Sequence, residues 1–174
     1  KSKIDLNVLK IATGEQTSAS ESAIAEEIFS WFVSSFDVNS DVKVYSLVYG
    51  EAKKILASDI SLTLAPKTSA DLVYTIISAP KSSVELVSGA SASDIASAGA
   101  STSITLDLSS GSKSIEFIIP QKASVTDMPV YFSPKLSSLA SALTSEICNY
   151  NRVCESDRDE TMENCPSDCR DWKK

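Results

Sequence analysis

The chain has 174 residues, 43% of them hydrophobic and 22% charged, which is enough apolar material for one domain with a core of its own. Its formal net charge is −7 and its pI about 4.6, a balance that repels phosphate backbones and excludes nucleic-acid binding; no basic cluster suits an anionic membrane surface. Histidine is absent, which removes His-dependent triads, Cys–His dyads, HExxH zinc sites and histidine-ligated haem.

No apolar run reaches the ~18 residues that span a bilayer. Lys1 is not an initiator methionine, as expected of a chain that has lost a signal peptide. Serine fills about one position in five, well above ordinary usage, and suits strands with a solvent face. No Asn-x-Ser/Thr sequon occurs.

Residues 4–11 open with Ile4, Leu6 and Val8 alternating with Asp5 and Asn7, the pattern of a strand, with a phase slip at Leu9. Starting so close to the terminus, such a strand could pair with the open sheet edge of a neighbouring copy; an ordinary edge strand is the competing reading. Ser18 and Glu21 have capping-box spacing. Ile24, Ile28, Trp31, Phe32 and Phe36 then recur at helical intervals, predicting a core-facing helix over 20–36. Residues 37–41 read as a turn, and Val42, Val44, Leu47 and Val48 as a strand. The loop after the first segment, residues 12–17, has a single glycine and an acid, so it is no phosphate cradle.

Beyond this point the period is two. Ile60, Leu62 and Leu64 alternate with polar residues, and 72–77 is an apolar run suited to a central strand. Val84, Leu86 and Val87 follow. Residues 88–101, rich in alanine and serine, read as a loop or at most a weak helical turn. Ile104, Leu106 and Leu108, a serine–glycine turn, then Ile115, Phe117 and Ile119 read as a hairpin. Residues 130–132 add a short strand. Ser133-Pro134 caps a helix over 134–147 that carries Leu136, Leu139, Leu143 and Ile147 on one face.

All four cysteines, Cys148, Cys154, Cys165 and Cys169, lie in the last 27 residues among carboxylates. So polar a segment needs crosslinks or a metal to hold a shape. The even count favours two disulfides, in any of three pairings, and hence an oxidising compartment. A structural zinc site built from the four thiolates is the rival, although no C-x2-C knuckle is present and the flanking acids oppose thiolate formation. The acids are also oxygen ligands of the kind calcium takes. Asp157, Asp159 and Glu160 are the candidate set, against the alternative of a solvated acidic loop without metal; the EF-hand pattern is not met.

The runs Val153-Cys154-Glu155, Asp157-Arg158-Asp159-Glu160-Thr161, Glu163-Asn164-Cys165-Pro166 and Asp168-Cys169 resemble a short cysteine module of secreted and cell-surface proteins of archaea and some bacteria. In that module C-x-x-G-E/D-x-x-x-N-C-P-x-D-C follows a glycine-bearing C-G-D/N-G-x-C turn, which Asn149-Tyr150-Asn151-Arg152 replaces here. The resemblance covers about the last two dozen residues and implies an exported, envelope-associated protein with no enzyme activity of its own.

The expected architecture is α+β: a mainly antiparallel, sandwich-like sheet with two amphipathic helices over 1–147 and a disulfide-bonded tail over 148–174. An α/β fold with an N-terminal βαβ unit is the alternative. The expected function is structural: a surface-layer, pilus or filament subunit, or the stalk of a surface protein, whose partners are copies of itself or other cell-surface proteins. The alternative is an extracellular adhesion module for glycan or protein, with Tyr45, Tyr49, Tyr74, Tyr131, Tyr150 and Trp172 as stacking candidates. A carboxylate-pair hydrolase ranks third, because no nucleophile motif accompanies the acids. No residue is assigned a catalytic role.

Overall fold

The computed structural model describes residues 4–17, 19–67, 72–139, 153–155, 160–162, 165 and 168–169. Its element order is α1 (Leu6–Thr13), α2 (Glu21–Ser35), β1 (Phe36–Tyr49), β2 (Ala52–Pro66), β3 (Leu72–Ile77), a 3-10 turn (Lys81–Ser83), β4 (Glu85–Ser88), β5 (Ile95–Ala98), β6 (Ser101–Asp107), β7 (Lys113–Ile119) and β8 (Val130–Ser133). A further helical turn begins at 136–139. The continuation of that helix to 147, and the boundary at 148, lie outside the described residues.

Two four-stranded antiparallel sheets stack, one ordered β1-β2-β7-β4 and the other β5-β6-β3-β8. This is the α+β sandwich. Ile60, Leu62 and Leu64 of β2, Ile115, Phe117 and Ile119 of β7, Val73 and Ile77 of β3, and Ile104 and Leu106 of β6 fill the space between the sheets. Each comes from alternate positions of its strand, so period-two patterning translates directly into a two-faced core. The other face of the second sheet takes the helices: Tyr74, Ile76 and Ala98 meet Val8 and Leu9 of α1 and Ile24 and Ile28 of α2. The domain is thus three layers, sheet on sheet on helices.

The segment expected as a strand over 4–11 is instead largely helix α1, Leu6–Thr13. Asp5 caps it, its carboxylate accepting from the Asn7 and Val8 amides, and Gly14 ends it at φ 69°. Leu9 is completely buried, worth roughly 1.5–3 kcal/mol of transfer free energy. Eight residues hold too few turns for alternation and a helical stripe to be told apart; Val8, Leu9 and Ala12 were the helical stripe. Exchange of a terminal strand and a βαβ opening both fall with this segment. Helix α2 forms as expected, but its cap is Ser20 rather than the Ser18 of the capping-box spacing, the Ser20 oxygen accepting from the Ala23 amide. Phe32 stacks on Phe132 at 5.3 Å and Trp31 meets Phe36 edge-on at 5.0 Å, so the aromatic stripe does pack inward.

Three other expectations need correction. Residues 37–41 are not a turn, since β1 runs straight out of α2 and pairs with β2 from Phe36 onward. Residues 95–98, inside the small-residue stretch, form β5, held by β6 and by α1 beneath it rather than by their own weak β propensity. Finally, 104–108 and 115–119 are not a hairpin: β6 belongs to one sheet and β7 to the other. The connection at 108–112 arches between layers, with Leu108 buried and Gly111 at φ 110°. Sheets stack about 10 Å apart, a gap five residues bridge easily.

Candidate functional site

Strands β1 and β2 outrun their sheet. β7 pairs with β2 only from Ser58 to Leu64, and Ser58 lies opposite Val44. Among the described residues, 45–49 and 52–57 therefore pair only with each other, as a two-stranded ribbon. Gly50 and Glu51 close it as a two-residue turn, with Gly50 at φ 60° as such turns require. The register shifts where Tyr45 faces Ala57 and Ser46 faces Ile55, which leaves Leu56 as the bulged residue.

The ribbon is apolar without being buried. Tyr49 is 84% exposed, Val48 65%, Leu47 57% and Tyr45 50%, and Val44 and Leu56 are also exposed. Strand alternation puts Tyr45, Leu47 and Tyr49 on one face and Val44 and Val48 on the other. Lys43, Lys53 and Lys54 flank them with Glu51 and Asp41; Lys43 and Asp41 lie 3.9 Å apart, an exposed pair of little stabilising weight. An isolated two-stranded hairpin is only marginally stable in water, and contiguous exposed apolar side chains mark contact surfaces. This arrangement can bind an apolar surface.

A second feature is a half-open groove of about 190 Å³ beside β6 and β7, lined by Leu72, Ala90, Asp94, Thr105, Asp107 and Lys113. Both of its acids serve local turns. The Ser91 hydroxyl and amide, at 2.6 and 2.8 Å, hold Asp94 below the usual carboxylate range. Ser109, whose amide donates to Asp107 at 2.9 Å, does the same for Asp107. Gly89 lines the groove at φ 91°, where a Cβ would overlap the Ser114 carbonyl.

In the tail, Cys154 and Cys169 form a disulfide with Cα atoms 4.4 Å apart, and Cys165 is disulfide-bonded and fully buried. The zinc reading is thereby corrected: a sulfur committed to a disulfide is no thiolate ligand. Cys148 lies outside the described residues, as do Asp157 and Asp159 of the calcium set. Glu160 is described and buried. One carboxylate oxygen accepts from the Glu155 amide at 2.8 Å, and the other finds no hydrogen-bond partner among the described residues. Those residues hold no cluster of three or more metal-ligating side chains.

Of the aromatic candidates, Tyr45 and Tyr49 are exposed, Tyr74 is buried and Tyr131 half-buried, whereas Tyr150 and Trp172 lie outside the described residues. Sequence reasoning missed Leu47, Val48 and Leu56 as surface residues. Their signal was the run 44–49, which keeps apolar residues on both faces where a half-buried strand should alternate.

No protein-family model and no curated protein matches the chain. Among solved structures it is similar to the chitin-binding domain of a chitinase from Pyrococcus furiosus. Against the crystal structure the TM-score is 0.31 at 16% identity, covering 56% of this chain and 95% of that one. Against the solution structure it is 0.30 at 15% identity, covering 53% and 84%. At those TM-scores the likeness establishes neither topology nor ligand. No helix among the described residues is long and apolar enough to cross a membrane.

Proposed function

We propose that this chain is an extracellular adhesion module that docks a protein through the projecting β1–β2 ribbon. The observation that carries the reading is the group Tyr45, Leu47, Val48, Tyr49 and Leu56, exposed together on an element the sandwich core does not need. Leu47, Val48 and Leu56 ask for an apolar partner surface. These aliphatic side chains outnumber the two tyrosines on which a sugar ring could stack, so protein is favoured over glycan. The disulfides support a location in an oxidising space outside the cell, as does the tail's resemblance to surface-protein modules.

The test is binding to an array of cell-surface proteins, cell-wall polysaccharides and the chain itself, comparing wild type with a Leu47→Ser/Tyr49→Ser double variant. Both residues are exposed, so the variant keeps the core. Protein signals should disappear in the variant. Signals on protein spots that the two substitutions leave unchanged, or binding confined to polysaccharides, would overturn the reading.

A further inference from the structure

We infer that the protein partner is a second copy of this chain, joined by antiparallel pairing of the two free β1 edges with Val42 of each copy on the two-fold axis. The inference rests on the reading of β1–β2 as the contact element. Strand β1 is 14 residues long, contains no proline, and has no partner on its outer side among the described residues. A long unpaired edge is a template for another strand.

The charges on the edge favour this register over those on either side of it. With Val42 on the axis, residues 36–48 of the two copies pair, and Asp41 of each lies opposite Lys43 of the other. Directly opposed residues of antiparallel strands sit about 4.5–5.5 Å apart at Cβ, close enough for opposite charges to attract. Moving the axis to Asp41 sets aspartate against aspartate, and moving it to Lys43 sets lysine against lysine. Slipping one strand by a single residue turns the wrong face outward. Asp41 and Lys43, whose side chains are 69% and 62% exposed, thus favour one pairing and penalise its neighbours.

An independent observation points to the same partner. Exposed apolar residues occur at both ends of β1: Leu47, Val48 and Tyr49 at its finish, and Phe29 and Val33 on the last turns of α2, which runs into its start without a loop. Antiparallel pairing places Leu47 opposite Asp37 of the second copy, so the ribbon end of each molecule meets the α2–β1 junction of the other. A two-fold axis brings each copy's apolar end to the same end of the dimer as the other copy's, the arrangement of a closed isologous dimer.

Charge exchange tests this in the full chain, with mass in solution read by sedimentation across concentration. The wild type should dimerise. Asp41→Lys alone and Lys43→Asp alone should each weaken self-association by more than about tenfold, since each sets like charges together twice. An equimolar mixture of the two single variants should form heterodimers, and the doubly exchanged chain (D41K with K43D) should dimerise again. A wild type that stays monomeric, or single variants that associate as well as the wild type, would overturn the inference. If such a monomer still captured another protein in a Leu47- and Tyr49-dependent manner, the adhesion reading would stand while self-pairing fell.

Discussion

The Glu15 carboxylate reaches across 122 positions of sequence to Ser137, accepting from its amide and its hydroxyl at 2.7 Å each. It caps the helical turn at 136–139 from the loop between α1 and α2, so the amino-terminal helices and the start of the carboxy-terminal one are tied by a single side chain.

Burial by itself would raise the Glu15 pKa, but the Ser137 amide and hydroxyl, with Lys135 nearby, hold it below 4.5. A carboxyl depressed in the folded state contributes stability that is present above its unfolded pKa and is lost as pH falls through the folded value. Glu15→Gln should cost about 1 kcal/mol at pH 7, as a cap discounted for exposure, and little below pH 3. Thermal melts of both proteins between pH 7 and 3 check this; parallel curves would show that the cap contributes nothing.

Alkaline behaviour should centre on Tyr131. Burial first, and the negative Asp5 second, push its hydroxyl up to about 12. The Asp5 backbone lowers it a little, yet among the described residues no contact of hydrogen-bond geometry reaches that oxygen. The unfolded chain releases this proton near 10, whereas the folded one keeps it, so stability falls as pH rises from 10 towards 12. Tyr131→Phe should flatten that decline in denaturant titrations, leaving the smaller share due to Tyr74, which burial also raises. An unchanged decline would remove Tyr131 from the account.

Thr75 lies between the sheets with its hydroxyl unpartnered among the described residues. An unsatisfied buried hydroxyl costs about 1–3 kcal/mol, and valine has nearly the same shape. Thr75→Val should therefore stabilise the protein by roughly 1 kcal/mol in urea unfolding. A loss of stability would mean that the hydroxyl has a partner.

The tail makes two separable predictions. Alkylation of denatured, unreduced protein should modify none of Cys154, Cys165 and Cys169, and modification of any would break the argument for an oxidising location. If the tail binds calcium, Glu160, one of whose oxygens has no hydrogen-bond partner among the described residues, is the ligand to test. At a free concentration 100-fold above Kd, the ion should add about 2.7 kcal/mol to wild-type stability and nothing to Glu160→Gln. Equal shifts in both proteins, or none, would leave the acidic loop without a metal.

Most strands could be read from residues alone. The alternation in 60–64, 104–106 and 115–119 marks faces that must be buried, and burial of alternate residues is a property of one strand whatever its neighbour. Helix α2 was legible because 15 residues with a cap give four turns of evidence, whereas the eight residues of α1 do not. The ribbon was only half visible. Tyr45 and Tyr49 stood out by type, but their exposure follows from where β7 stops covering β2, which no local pattern encodes.

By itself the sequence determined which residues seek a core, that a helix runs from about residue 20, and that the polar tail needs crosslinks or a metal: each follows from residue type and spacing within a short window. The tertiary structure decided the rest. It assigned β6 and β7 to different sheets, made a strand of 95–98, turned 6–13 into a helix over Tyr74 and Ile76, and left the long β1 edge without an outer neighbour among the described residues. Those outcomes depend on which distant segment wins each contact, and a pattern of apolar residues states the need for a partner without naming it.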